Sequence, residues 1–236
     1  MKILSVDTAA NVASAAIVDG DKLVCEVTIN NKKTHSQTLM PIIDTILNHA
    51  GMEISDMDFL AVANGPGSFT GLRIGVSAVK GLAYAKNIPV VGISTLEAMA
   101  YNLPFCKFSI SPIMDARRQQ VYNAVYEWEN GELIEKKAPR ALGIDELCEE
   151  LGKVGKKVVF VGDAAAVYKE IIIEKLGDMA VFAPSCAAEQ RASSLAIAAK
   201  KRYQKTGGES AFELSPVYLR KSQAEREAEE KKNKEK

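Results

Sequence analysis

The part of this sequence that is most distinctive as a possible ligand site is a glycine-rich turn. Gly65-Pro-Gly67 leads from an apolar stretch into a helical one. Glycine lets a backbone bend sharply, and it also lets backbone amides approach a bound phosphate without a side-chain clash. Tight strand-to-helix turns use the same residues, so both interpretations stay open. Ser68 or Thr70 is predicted to cap the following helix by accepting a hydrogen bond from a first-turn amide.

The sequence contains few residues that could act as an activated nucleophile or as metal ligands. The two histidines, His35 and His49, lie before and near the end of one predicted helix, and Ser68 is not part of a Gly-x-Ser-x-Gly elbow. We expect a local turn contact for His35 and a solvated position for His49. The four cysteines form neither a Cys-x-x-Cys pair nor a zinc-ligand spacing, which predicts buried, reduced thiols. We therefore predict no catalytic residue and no metal ligand.

Composition and charge are those of an ordinary globular protein. Of 236 residues, 47% are hydrophobic and 25% are charged, which is enough apolar material for a sizeable core. The 30 basic and 30 acidic side chains cancel, which disfavours a protein that holds nucleic acid over a broad basic face. Apolar runs stay well short of the ~18 residues that span a bilayer, so we expect a cytoplasmic protein without membrane contact.

Hydrophobic periodicity predicts an α/β protein with a duplicated plan. Three antiparallel strands are predicted at residues 2–8, 13–18 and 23–29, followed by a helix at 37–50 with Pro41 in its first turn. A strand-helix-strand-helix series follows, at residues 59–63, 70–86, 89–93 and from 95. A second set comprises three strands and two helices, at residues 108–114, 121–128, 157–161, 163–177 and from 192. We predict a first lobe over residues 1–106, a smaller second lobe over 107–220 and a charged, disordered tail over 221–236.

The helix at 70–86 is apolar around most of its circumference. Arg73, Ser77, Lys80 and Tyr84 fall in one narrow wedge, and the remaining arc is wider than covering a sheet requires. Gly71 and Gly75 leave two alternatives, because such small residues admit either a partner's helix or the protein's own sheet. If they admit a partner, the helices at 37–50 and 70–86 provide a surface made of Leu39, Ile43, Ile46, Gly71, Leu72, Gly75, Val76 and Val79.

Several motifs together resemble the TsaB family over nearly the whole chain. They are Ile3-Leu-Ser-Val-Asp-Thr8, His35-Ser-Gln-Thr-Leu-Met-Pro41, Gly65-Pro-Gly-Ser-Phe-Thr-Gly-Leu-Arg73, Gly92-Ile-Ser-Thr-Leu-Glu97, Asp115-Ala-Arg117 with Val121-Tyr122, and Pro216-Val-Tyr-Leu-Arg220. The resemblance implies the two-lobed, duplicated fold of the actin, sugar-kinase and Hsp70 superfamily. One departure is Gln120, where the family more often has glutamate.

The resemblance also implies a function. TsaB proteins are non-catalytic members of the bacterial machinery that forms threonylcarbamoyladenosine in tRNA. For this chain the resemblance implies a heterodimer with the paralogue TsaD, recruitment of the ATPase TsaE, and support for transfer of the threonylcarbamoyl group to the adenosine beside the anticodon. tRNA would be bound indirectly, and ATP or ADP and a divalent metal would belong to the partner complex. Without its partner the chain is expected to form a homodimer.

The resemblance further indicates chemistry that this chain has lost. Nucleotide-binding members of the superfamily follow the first-strand aspartate with a glycine-containing hairpin, whereas Asp7 is followed by Thr8, Ala9 and Ala10. The positions that match the metal-binding histidines of TsaD are Thr95 and Met99, which cannot replace two imidazoles. Weak candidates for a nucleotide site are Asp7, Gly65, Gly67 and Gly162. The alternative function is an ATP-binding small-molecule kinase or ATPase of the same superfamily.

Two further polar residues end a strand of the second set. Asp115 and Arg117 are predicted at a strand end, where open α/β sheets place their ligands. They could therefore face the cleft between the lobes together with Asp7. The alternative is that they fix their own turn through hydrogen bonds and a local ion pair.

Overall fold

A computed structural model describes residues 1–31 and 33–220, so the tail predicted for 221–236 lies outside the described residues. Within this part of the chain, two five-stranded sheets are flanked by α-helices. None of the helices in the described ranges combines the length and the apolar character needed to cross a bilayer.

The first sheet and its helices come from the first hundred residues. Its strands are β1 (Lys2–Asp7), β2 (Ala13–Asp19), β3 (Lys22–Ile29), β4 (Phe59–Gly65) and β5 (Val90–Ser94), in the spatial order β3-β2-β1-β4-β5. The first three strands are antiparallel, and β4 and β5 run parallel to β1. The helices of this region are α1 (His35–Ala50), α2 (Phe69–Lys86) and α3 (Thr95–Ala100).

The second sheet repeats the same plan. Its strands are β6 (Ser109–Asp115), β7 (Gln120–Glu129), β8 (Glu132–Gly143), β9 (Val158–Val161) and β10 (Ala180–Phe182), in the order β10-β9-β6-β7-β8. Again three antiparallel strands are followed by two strands parallel to the first. The helices of this region are α4 (Ile144–Val154), α5 (Asp163–Val167), α6 (Lys169–Leu176) and α7 (Ala192–Thr206). The predicted two-lobed, duplicated α/β fold is confirmed.

The helices divide the apolar core into layers. One buried cluster joins the first sheet to α1 and α2, and another joins the second sheet to α4 and α6. A third cluster lies between the two sheets and contains α3 and α7. Although α7 comes late in the chain, it packs on β1 and β2, where Ser5 donates to the carbonyl of Ala192 over 2.7 Å. The lobe boundary near residue 106 stays a prediction.

Several local predictions differ from the structure. Pro41 lies in the second turn of α1, because the helix begins two residues earlier than predicted, at His35. The single helix predicted over 163–177 is two short helices that meet at Tyr168, and Gly177 does end the second. Cys148 is buried and Cys25 and Cys106 are half-buried, all as free thiols, but Cys186 is exposed, so the prediction of a buried thiol is wrong there.

The two histidines hold different positions. His35 does not make a local turn contact: its Nε2 lies 2.6 Å from the carbonyl oxygen of Ala10, in the loop after β1. This contact fixes the start of α1 against the first sheet. His49 is exposed in the last turn of the helix, as predicted, with its Nδ1 2.9 Å from the carbonyl oxygen of Thr45.

The amino-terminal cap of α2 is Ser68, whose Oγ accepts the amide of Gly71 over 3.2 Å. Ser68→Ala leaves that first-turn amide without its acceptor and is expected to lower the free energy of unfolding by about 1 kcal/mol. Chemical denaturation measures the change. Thr70→Ala, the other residue that the sequence offered as a cap, is the matched control and should change stability by less. An equal loss at both positions would contradict the cap.

Candidate functional site

The glycine-rich turn after β4 is filled by the protein's own backbone. A Cβ on Gly67 would lie 2.3 Å from the carbonyl oxygen of Ala9, and one on Gly65 would lie 2.3 Å from that of Val217. The amide of Ser68 donates to Ala9 over 2.7 Å, which ties the turn to the loop after β1. These contacts support the tight-turn interpretation, because the close approach that each glycine permits is made within the chain.

The carboxylate that ends β1 is also used internally. Asp7 is fully buried, and its Oδ1 accepts the amide of Ala9 over 2.9 Å. Its Oδ2 has no hydrogen-bond partner among the described residues. Burial disfavours the charged form and raises the pKa of Asp7 to about 7, although the hydrogen bond from Ala9 opposes that shift. The side chain fixes its own turn and is closed to solvent.

The second lobe has an equivalent aspartate, because Asp115 ends β6 as Asp7 ends β1. Asp115 accepts the amide of Arg117 over 2.8 Å, and its Oδ2 lies 3.2 Å from the guanidinium of the same arginine. The amide of Asp115 donates to Asp163 Oδ1 over 3.3 Å, and burial raises the pKa of Asp163. These contacts support the alternative of turn-fixing hydrogen bonds and a local ion pair.

The remaining residues that the sequence suggested for a nucleotide site or matched to a metal site lie between the two sheets. Gly162 has a φ of +108°, and a Cβ there would lie 2.2 Å from the carbonyl oxygen of Ile113 and 3.2 Å from the sulfur of Met99. Thr95 and Met99 are buried in α3, and the Thr95 hydroxyl has no partner among the described residues. Within residues 1–31 and 33–220, no three histidine, cysteine or acidic side chains come together to hold a metal ion.

The inner face of α2 contacts the first sheet. A Cβ on Gly71 would lie 2.1 Å from the carbonyl oxygen of Thr8, and one on Gly75 would lie 2.4 Å from the Thr8 hydroxyl oxygen. That hydroxyl donates to the carbonyl of Gly71 over 2.8 Å. The glycines therefore admit the protein's own sheet, which was the second alternative.

This packing corrects the predicted partner surface. All of its members are buried in the chain itself, because the apolar arcs of α1 and α2 face the first sheet and each other: Leu39, Ile43, Ile46, Gly71, Leu72, Gly75, Val76 and Val79. A partner surface on these helices would have to consist of other residues.

The outer faces of α1 and α2 remain exposed. We give the name α1–α2 outer face to eight of the exposed residues: Met40, Pro41, Asp44 and Thr45 on α1 and Arg73, Ser77, Gly81 and Tyr84 on α2. The polar wedge predicted for α2 is confirmed at Arg73, Ser77 and Tyr84, and Lys80 is half-buried. Ile74, Ala78 and Leu82 are half-buried beside these residues and contact the core beneath.

The chain after α7 extends this face, which sequence reasoning missed. Tyr218 stacks on Phe69 with ring centroids 4.5 Å apart, and its hydroxyl accepts from Arg73 over 3.1 Å. Lys80 donates to the carbonyl of Leu214 over 2.8 Å. Phe212, which is 75% exposed, lies edge-on to Tyr84. The only signal in the sequence was the motif at residues 216–220, which gave no location.

Comparisons with known proteins identify the family. A family model described as TsaD, tRNA N6-adenosine threonylcarbamoyltransferase, matches residues 22–228. The tRNA threonylcarbamoyladenosine biosynthesis protein TsaB of Bacillus subtilis (strain 168) is 34% identical over 226 residues, covering 95% of this chain and 96% of that protein. The chain belongs to the TsaB family.

Other comparisons agree with TsaB membership. The TsaB protein of Haemophilus influenzae is 29% identical over 93% of this chain and 94% of its own length. A crystal structure of an uncharacterized Pseudomonas aeruginosa protein, described as similar to the peptidase YEAZ, superposes with a TM-score of 0.78 at 25% identity. That match covers 93% of this chain and 99% of the other. The two TsaB relatives each match more than nine-tenths of this chain.

Proposed function

We propose that this TsaB-family protein is a non-catalytic subunit in the biosynthesis of threonylcarbamoyladenosine in tRNA. The observation that carries the proposal is the match to the Bacillus subtilis TsaB protein over 95% of this chain. The subunit supports transfer of the threonylcarbamoyl group to the adenosine beside the anticodon. A TsaD-like partner performs the transfer.

The aspartates that end β1 and β6 make their contacts within the chain, which supports a non-catalytic role. Asp7 is fully buried and accepts the amide of Ala9, and Asp115 pairs with Arg117. The glycines that could admit a phosphate are packed against the chain's own carbonyl oxygens. We therefore place ATP or ADP and the divalent metal in the partner complex and expect neither to be a resident cofactor of this chain.

We place the partner contact on the α1–α2 outer face. The inner faces of both helices are fixed on the first sheet, so the outer faces are presented on a rigid support. Gly81 lies on that face, and no described residue lies within 4 Å of a Cβ built there, so a partner helix can approach closely. Met40 and Tyr84 are exposed apolar residues beside it, and Tyr84 is 67% exposed.

Further parts of the proposal concern the other partners. TsaE is recruited by the heterodimer, and tRNA reaches this chain indirectly through the complex. Without TsaD, the chain covers the α1–α2 outer face by forming a homodimer, which the heterodimer replaces. The complex acts in the cytoplasm.

Gly81→Arg tests the partner contact. The side chain projects into open space, so the melting temperature should stay within a few degrees of the original. Copurification with TsaD from the native cell should fall at least about tenfold, because a charged side chain without a partner is costly to bury in an interface. Gln204→Arg, at an exposed position on α7, adds the same charge and should leave copurification unchanged.

Two results would contradict the proposal. Full copurification of the Gly81→Arg protein would remove the contact from this face. Micromolar binding of ATP with magnesium by the isolated chain, measured by calorimetry, would favour the kinase or ATPase alternative.

A further inference from the structure

We infer that a cleft in the second lobe binds an unpaired strand of RNA. This lysine-aromatic cleft has a volume of about 320 Å³, and its walls include Lys107, Phe108, Glu127, Trp128, Lys156 and Lys157. The inference rests on the proposed function and changes one part of it, because it gives this subunit a direct contact with the tRNA substrate in place of the indirect one. The neutral net charge of the chain argues against a broad basic face, but it leaves room for a local one.

The cleft lies away from both sites described above. It opens at the amino ends of the parallel strands β6 and β9, which begin at Ser109 and Val158. Asp115 and Asp163 lie at the carboxyl ends of the same strands, and α1 and α2 pack on the other sheet. RNA in the cleft would therefore leave the α1–α2 outer face free for a partner.

The charges in the cleft favour a polyanion. The three lysines are exposed, and among the described residues Glu127 is the one carboxylate of the lining. Glu127 is already engaged: it accepts the Ser109 hydroxyl over 2.6 Å and lies 3.9 Å from the ammonium groups of Lys136 and Lys156. The excess positive charge suits the phosphates of a nucleic acid strand.

Aromatic rings next to these lysines distinguish RNA from an acidic peptide. Phe105 is 72% exposed and Phe108 is 39% exposed, on either side of Lys107 in the sequence. The Phe105 ring lies 5.5 Å from that of Trp128, and the ammonium of Lys157 lies 5.8 Å from the Phe108 centroid. Exposed rings alternating with cations are the arrangement on which unpaired bases stack while their phosphates are neutralised.

The test is fluorescence anisotropy of the full chain with a labelled, unmodified tRNA transcript over a range of salt concentrations. The triple variant Lys107→Glu, Lys156→Glu and Lys157→Glu should weaken binding at least tenfold and reduce the slope of log affinity against log salt by about 2, since each phosphate contact to a single strand contributes about 0.7. The matched control reverses three exposed lysines elsewhere, Lys22, Lys33 and Lys86, and should leave the slope nearly unchanged.

Replacing the exposed aromatic rings tests whether bases of the RNA stack on them. Phe105→Ala with Phe108→Ala should weaken binding about tenfold or more without changing the salt slope, because stacking of a base on a ring contributes about 1–3 kcal/mol. Thermal unfolding checks that the variants remain folded, which their exposed positions favour.

Three results would overturn the inference: no binding of the transcript by the original chain, an equal loss in the control triple variant, or equally tight binding of free AMP. The triple variant should still copurify with TsaD, so a failure of this inference is distinguishable from a failure of the proposed function.

Discussion

Gly71→Ala is expected to destabilise the protein by about 1–3 kcal/mol, although alanine ordinarily stabilises a helix. The added methyl group would lie 2.1 Å from the carbonyl oxygen of Thr8 and 3.3 Å from the Cβ of Ser68. The first of these contacts is with backbone, which cannot rotate away as a flexible side chain can. Either α2 moves off the first sheet or the loop after β1 shifts, and both changes disturb buried contacts. Urea denaturation measures the loss.

The control for this prediction lies in the same helix. Among the residues that the structure describes, nothing lies within 4 Å of a Cβ on Gly81, so Gly81→Ala meets no obstacle and gains helix propensity. It should stabilise the protein by about 0.5–1 kcal/mol. Changes of opposite sign in the free energy of unfolding for Gly71→Ala and Gly81→Ala would show which side of α2 faces the sheet. Stabilisation by both substitutions would contradict the packing of Gly71 on Thr8.

The same contacts decide which substitution can test partner binding. A bulky residue at Gly75 would collide with the Thr8 hydroxyl and would be expected to remove the fold together with any interaction. If Gly75 faced a partner helix, the same substitution would instead leave a stable protein that no longer binds its partner. Gly81 is the position at which folding and partner binding can be separated.

Asp7→Asn is expected to remove a large pH dependence of stability. The folded pKa of Asp7 is raised to about 7, above the ordinary value of 3.8. Between these two values the folded state holds a proton that the unfolded state has released, so the free energy of unfolding falls as pH rises. The fall approaches about 1.4 kcal/mol per pH unit between the two values and amounts to about 3 kcal/mol from pH 4 to pH 7, and it levels off above the folded pKa.

An asparagine at this position keeps an oxygen for the amide of Ala9 but carries no charge. The variant should therefore be more stable than the original protein at pH 8, and its advantage should disappear as the pH falls toward 4. Urea denaturation at a series of pH values measures both profiles. Asp178→Asn, at an exposed position, is the control and should follow the original protein. Parallel profiles for Asp7→Asn and the original protein would contradict a neutral buried carboxyl group.

Much of the architecture could be predicted from local pattern. The alternation of apolar and polar residues gave most strands of both sheets to within two residues, and the repeat of strand types indicated the duplication. Ser68 was correctly proposed as a cap, because a cap depends on residues within one helical turn of each other. Pro41 was misplaced because α1 begins two residues before its predicted start, at His35, whose imidazole contacts the carbonyl oxygen of Ala10, 25 residues away.

The sequence alone determined most of the helices and strands, that α2 has one polar wedge, and which family the chain resembles; β8, β10 and α4 were not among the predicted elements. Only the tertiary structure decided what the apolar side of α2 touches, because hydrophobic burial is non-directional and suits a partner as well as the protein's own sheet. Thr8 occupies the space that Gly71 and Gly75 leave, and residues 212–218 lie against the exposed side of α2. Both contacts join segments distant in sequence, and local periodicity carries no information about which distant segments meet.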